Sequence, residues 1–188
     1  MNAKANCGYT LLDFSATSLA PEWYAVNDGV MGGESCGGPA IQDGQLIFSG
    51  HISLANNGGF SSVKSRGQQF DLNDFQALRL RVRGDGRTYQ LRLYTNARYG
   101  HSPIAYTAEF PTQAGEWTEP VIAIAQLSPR FRGRALSGPP LDTEHIEAMG
   151  LLLGDKHAGA FELRVEWIRV CRLASSNSQP GPDRTAKT

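Results

Sequence analysis

Between Gly-rich bends that recur roughly every ten residues, the apolar side chains of this sequence alternate with polar ones, a period that suits strands and not amphipathic helices. In residues 75–83, Leu78, Leu80 and Val82 point one way and Arg79, Arg81 and Arg83 the other, so one face is core and one is wet. After Gly84-Asp85-Gly86, Tyr89, Leu91 and Leu93 alternate with Gln90, Arg92 and Tyr94, and a hairpin is the expected connection. Phe161, Leu163, Val165 and Trp167 alternate with Glu162, Arg164 and Glu166, after which Ile168 and Val170 fall out of phase. That slip predicts a β-bulge near Trp167.

Further strands are expected over residues 9–14, 22–26, 45–54, 60–64, 104–110, 117–124 and 148–153. Only residues 15–19 and 142–147 tempt a helix, the second with Asp142 or Thr143 as its N-cap. About ten short strands without intervening helices predict an all-β sandwich or barrel. At 188 residues the chain suits one domain, placed at residues 9–173, and the polar, Ser/Pro-rich residues 174–188 read as a disordered tail.

Eighteen Lys and Arg balance eighteen Asp and Glu, which argues against the phosphate attraction that drives nucleic-acid binding. The balance is global and not local: residues 64–98 carry eight basic and three acidic side chains, residues 1–63 one and five. Cross-strand pairs of Arg79, Arg81, Arg83 and Arg92 with Glu162, Glu166 or other carboxylates account for this basic block most simply. Cys7, Cys36 and Cys171 are odd in number and lack a CxxC pair, so free thiols in a reducing compartment are expected, with a single bridge left open. The first nine residues lack signal-peptide or transit-peptide character and no apolar run reaches membrane-spanning length, so the expected location is cytoplasmic, with no membrane span.

Three loops carry the unusual chemistry. Trp23 precedes Asn27-Asp28-Gly29-Val30-Met31-Gly32-Gly33, where turn residues would leave Val30 and Met31 at a loop tip in want of a partner; the alternative is that Met31 folds back as core filler. Gly58-Gly59-Phe60-Ser61 combines a glycine pair, an aromatic ring and a hydroxyl, or is simply a turn into an edge strand. Arg130-Phe131-Arg132-Gly133-Arg134 could clamp a carboxylate or phosphate, or pin itself to its neighbours.

Catalytic signatures are missing. His51, His101, His145 and His157 share no metal-ligand spacing, no GxSxG elbow occurs, and Gly84-x-Gly86 lacks the rest of a dinucleotide fingerprint. Asp28, Asp85 and Asp155 sit beside glycines and are the candidates for a structural calcium, each equally suited to a turn. The expectation is a non-enzyme with no catalytic residues, no cofactor and no metal.

In order along the chain, Trp23, the 27–33 segment, Phe48-Ser49-Gly50, residues 57–63, Arg83-Gly84-Asp85-Gly86-Arg87-x-Tyr89, Trp117 and residues 131–134 resemble the complex I intermediate-associated protein 30 (CIA30) family. The likeness continues through Gly150-Leu151-Leu152-Leu153 and Gly159-Ala160-Phe161-Glu162-Leu163. It implies a galactose-binding-domain-like jelly-roll β-sandwich and kinship to a chaperone that helps assemble respiratory complex I. The function expected is therefore capture of a protein client, such as a respiratory-complex subunit, by Trp23, Asn27–Gly33, Gly58–Ser61 and Arg130, Phe131, Arg132 and Arg134. The alternative is a carbohydrate or small-ligand module in which Trp23, Tyr94, Tyr99 or Tyr106 stacks on a sugar.

Overall fold

The computed structural model describes residues 5–15 and 21–173. Its strands are β1 (Ala5–Asp13), β2 (Glu22–Ala25), β3 (Cys36–Gln42), β4 (Gln45–Ile52), β5 (Ser61–Arg66), β6 (Ala77–Arg83) and β7 (Thr88–Tyr99). They continue with β8 (Ser102–Pro111), β9 (Trp117–Thr118), β10 (Val121–Ala123), β11 (Ser128–Phe131), β12 (Arg134–Ala135), β13 (Ala148–Leu153) and β14 (Gly159–Leu173). All strand pairs are antiparallel and fall into two sheets. The first runs β10-β6-β14-β4-β3, with β1 also on β14 and β9 also on β6; the second runs β12-β11-β8-β7-β13-β5-β2. The result is the expected all-β jelly-roll sandwich.

Alternation places the core. Leu78, Leu80 and Val82 of β6 and Phe161, Leu163 and Val165 of β14 face Tyr89, Leu91 and Leu93 of β7, Tyr106 and Phe110 of β8, and Met149, Leu151 and Leu153 of β13, all buried. The bulge falls where the phase slips: Val165 pairs with Val82 but Trp167 with Arg81, so Glu166 is the extra residue. Beyond it Ile168 and Val170 return to the core opposite Leu80 and Leu78. The inserted residue lets a sequence that changes parity keep one face buried.

Strands β6 and β7, expected to form a hairpin, lie in different sheets. The link between them turns a corner instead. Gly86 N–H donates to Thr112 Oγ1 at 3.1 Å, that hydroxyl donates to Arg87 O at 2.8 Å, and Gly115 N–H donates to Gly84 O at 2.9 Å. A Cβ on Gly84 would lie 2.4 Å from Thr112 Oγ1, so only glycine fits this approach. Alternation reports which face of a strand is buried; two strands facing each other across a core satisfy it as well as two that are paired.

Other expectations also change. Residues 142–147 form no helix: Asp142 accepts the N–H of Glu144 at 3.1 Å, turn chemistry without a following helix. Of the other helical candidate, Ser15 lies in a turn and residues 16–19 lie outside the described residues, as does the 174–188 segment. Strand β3 falls outside the expected strands; its Gly37-Gly38-Pro39 lies at a sheet edge, where a proline needs no outer partner. The residues 117–124 divide into β9 and β10 around Glu119-Pro120. Cys7 and Cys171 form a disulfide that ties β1 to β14, leaving Cys36 free and exposed. The expectation of three free thiols is thus corrected, and with it the premise for a reducing compartment; spacing along the chain carries no information about two ends brought side by side by strand pairing.

The basic block divides between the sheets. On the first, Arg79 pairs with Glu119 at 2.6 Å and Arg81 with both Glu119 and Glu166, at 3.0 and 2.6 Å, as a solvated salt-bridged face. Arg164 meets Glu162 at 2.7 Å. Arg92, on the second sheet, donates to Gln90 instead of a carboxylate. Among the described residues no helix is long and apolar enough to cross a membrane.

Candidate functional site: the fastened loops beside the second sheet

After β2 the chain makes a 3₁₀ turn over Asp28–Met31 and leaves it through Gly32 in the left-handed region, φ 87°. Asp28 is completely buried. Its Oδ1 accepts the N–H of Ser35 at 2.9 Å, and its Oδ2 those of Gly59 and Phe60 at 2.7 and 3.3 Å. Burial opposes ionisation, but the donors from Ser35, Gly59 and Phe60 outweigh it and hold the carboxyl below its ordinary range. Next to it, Asn27 donates to Gly37 O at 2.9 Å and accepts the Ser61 hydroxyl at 2.6 Å. Ser35 Oγ in turn donates to Ser53 O and accepts Ser53 N–H.

The glycines in this knot make room for it. A Cβ on Gly33 would stand 2.3 Å from Asp28 Cγ, one on Gly58 2.6 Å from Asp28 Oδ2, and one on Gly37 2.3 Å from Ser61 Oγ. Asn27, Asp28, Gly33, Gly58, Gly59 and Ser61 therefore fasten two loops together and spend their polar atoms on each other. At the tip of the 28–33 loop the knot leaves apolar side chains outside: Val30 is 77% and Met31 49% exposed, so Met31 does not fold back into the core. Gly29 and Gly32 are exposed beside them, and Phe60 is half-buried.

Not every expected residue joins this site. Trp23 packs on Phe14 at 6.0 Å between ring centres and is only 8% exposed, a core residue. The 130–134 segment forms the β11–β12 hairpin at the opposite edge of the second sheet from β2. There Arg132 and Gly133 take positive φ, Arg130 donates to Gly133 O at 3.1 Å, and Phe131 packs against Tyr99. Arg130, Arg132 and Arg134 form no ion pair among the described residues, so they converge on no shared carboxylate. Of the aromatic residues expected to stack on a sugar, Trp23 and Tyr106 are core, Tyr94 lies beneath the Lys64 ammonium at 3.9 Å, and Tyr99 is engaged with Phe131.

The calcium candidates are separately occupied. Asp85 accepts from Tyr89 Oη at 3.0 Å and from Glu162 N–H at 3.1 Å, and Asp155 takes the Arg87 guanidinium through two oxygens. Among the described residues no group of three or more His, Cys, Asp or Glu side chains gathers to hold a metal. His145 contacts Asp142 at 3.0 Å on the exposed surface. Sequence reasoning missed Ser35, Ser53 and Gly37, which complete the knot; the signal was the Ser and Gly content of the segment following Asp28.

Residues 12–165 match the family described as Complex I intermediate-associated protein 30 (CIA30). A relative named Complex I intermediate-associated protein 30, mitochondrial, from Mus musculus, is 32% identical over 136 residues, covering 69% of this chain and 40% of that protein. The chain therefore spans well under half the length of this relative. Solved structures share the fold. The family 11 carbohydrate-binding module of a Clostridium thermocellum cellulosomal cellulase superposes with TM-score 0.62 at 12% identity, covering 94% of this chain and all (100%) of the module. A solution structure of the module named CtCBM11 reaches 0.65 at 14% identity, covering 93% of this chain and 100% of that one. The agarase AgWH50C reaches 0.60 at 13% identity, covering 92% of this chain and 25% of the enzyme. With its match running from β1 into β14, the chain belongs to the complex I intermediate-associated protein 30 family.

Proposed function

We propose that this chain is a non-catalytic binding protein that holds a protein client during assembly, the client being a subunit of a respiratory complex. Membership of the family supports an assembly-factor-like role. The observation that carries the reading is the contrast within one loop. Asp28 is sealed and triply hydrogen-bonded, while Val30 and Met31, two and three residues on, stand in solvent. A rigid base that displays an apolar tip loses little conformational entropy on binding, which is how a small hydrophobic contact becomes an anchor.

The test is crosslinking and affinity recovery from the native host with the full chain and with a Val30→Asp/Met31→Asp variant. Recovery of a respiratory-complex subunit by the parent chain and its loss with the variant support the reading. Equal recovery by both, or recovery of no such subunit, overturns it.

A further inference from the structure

The outer face of the second sheet carries cations that the fold leaves unneutralised. Across the strands Tyr24 opposes Lys64, Lys64 opposes Gly150, Gly150 opposes Arg92, Arg92 opposes Thr107, and Thr107 opposes Ser128. Directly opposed residues share a face. The neighbouring row places Tyr94 opposite Ala105 and Ala105 opposite Arg130, while the buried Leu91, Leu93 and Leu151 take the inner side.

Charge on this face is poorly matched. Lys64 has no carboxylate within ion-pair distance among the described residues and lies over the Tyr94 ring. Burial first, and the neighbouring Arg98 second, push its ammonium below the ordinary lysine range, against an opposing pull from Glu147. Among the described residues the Arg92 guanidinium reaches only Gln90, at 3.2 Å, and its buried Nε has no hydrogen-bond partner. Arg130 donates to a backbone carbonyl. The carboxylates nearby are used loosely: Glu147 is 3.8 Å from Arg98, Glu22 is 4.0 Å from Arg66, and Glu109 accepts from Gln90. On the first sheet, by contrast, Arg79 and Arg81 sit within 3.0 Å of their partners.

The spread of these groups selects the ligand. From β5, which carries Lys64 and Arg66, to β11, which carries Arg130, is four strand spacings, about 19 Å. A single phosphate cannot bridge that distance, whereas about six residues of extended chain, at roughly 3.3 Å each, do. We propose that the outer face of the second sheet, centred on Lys64 and Arg92 and reaching to Arg130, binds an extended acidic segment of a polypeptide partner. The proposal rests on the client-binding reading above and adds a second contact surface with its own chemistry. Charge complementarity of this kind contributes mainly to encounter rate and register.

The experiment is fluorescence anisotropy of the full chain with a labelled peptide of alternating Glu and Ser, against the same peptide with Gln in place of Glu. The expected result is salt-sensitive binding of the Glu peptide alone, weakened about tenfold by Lys64→Glu or Arg92→Glu and less than about twofold by Arg83→Glu, the same charge change on the other sheet. Lys64→Gln, which keeps a stem on Tyr94, guards against a variant that fails to fold and weakens binding about threefold. Binding of the Gln peptide, equal loss with Arg83→Glu, or no loss with either Lys64 variant overturns the proposal. So does tighter binding of duplex DNA, tripolyphosphate or anionic vesicles with the same variant dependence. The Val30→Asp/Met31→Asp variant keeps peptide affinity, so failure of the loop reading and failure of this one fall on different variants.

Discussion

Asp28 Oδ2 accepts the backbone N–H of Gly59 at 2.7 Å, joining loops that lie 31 residues apart in the chain. Replacing Asp28 with Ala strands three donors, those of Ser35, Gly59 and Phe60, around a side chain that is fully buried. The expected loss is about 3 kcal/mol or more, read by urea unfolding. Asp28→Asn keeps one acceptor and loses less.

Gly32 and Gly33 are adjacent but serve different needs. Gly32 occupies φ 87° with open space around it, while Gly33 has no room for a Cβ because of the Asp28 side chain. Gly32→Asn, a residue that tolerates the left-handed region, should cost under about 1 kcal/mol. Gly33→Ala should cost about 2 kcal/mol or more by displacing the Asp28 carboxylate. Thermal melts of the two variants that show equal losses contradict this division.

The Cys7–Cys171 disulfide spans 164 residues of chain, so its removal frees a long loop in the unfolded state. Reduction, or the double substitution to Ser, should lower stability by about 3–5 kcal/mol without altering the sheets, since β1 retains its pairing with β14. Melts with and without reductant, paired with far-UV circular dichroism, check both halves of that statement.

Acid should weaken the fold through Asp28 and Asp155. The Arg87 guanidinium holds the Asp155 carboxyl below its ordinary 3.8 despite partial burial, and at Asp28 burial is outweighed by the Ser35 side chain and the amides of Gly59, Phe60 and Ser35, which together lower its carboxyl. A folded pKa below the unfolded one contributes stability that is complete above about 3.8 and disappears as pH falls through the lower folded values. Stability measured from pH 6 downward should stay flat and then drop below about pH 4, with a smaller drop in Asp155→Asn.

Strand β14 shows how far local pattern reaches. Its alternation, and the break in that alternation at Trp167, are enough to place both its buried face and its bulge, because a strand's side-chain period is a property of its own backbone. The same pattern in β6 and β7 misleads about partnership, since their apolar rows meet across the core and not along a shared edge. For the loops, residue types marked a site at 27–33 and 58–61, but not that Asp28 faces inward while Val30 and Met31 face outward.

Local alternation and turn chemistry, both acting over a few residues, therefore determined the fold class, most strand positions and the loops of interest. Tertiary structure alone decided the Cys7–Cys171 bridge, the burial of Asp28, the separation of the 130–134 hairpin from the fastened loops, and which basic side chains meet a carboxylate closely, as Arg79 and Arg81 do, and which do not, as with Arg92. Each of these depends on residues distant in the chain becoming neighbours, and the energy of a buried carboxylate or an unmatched cation exists only once those neighbours are in place.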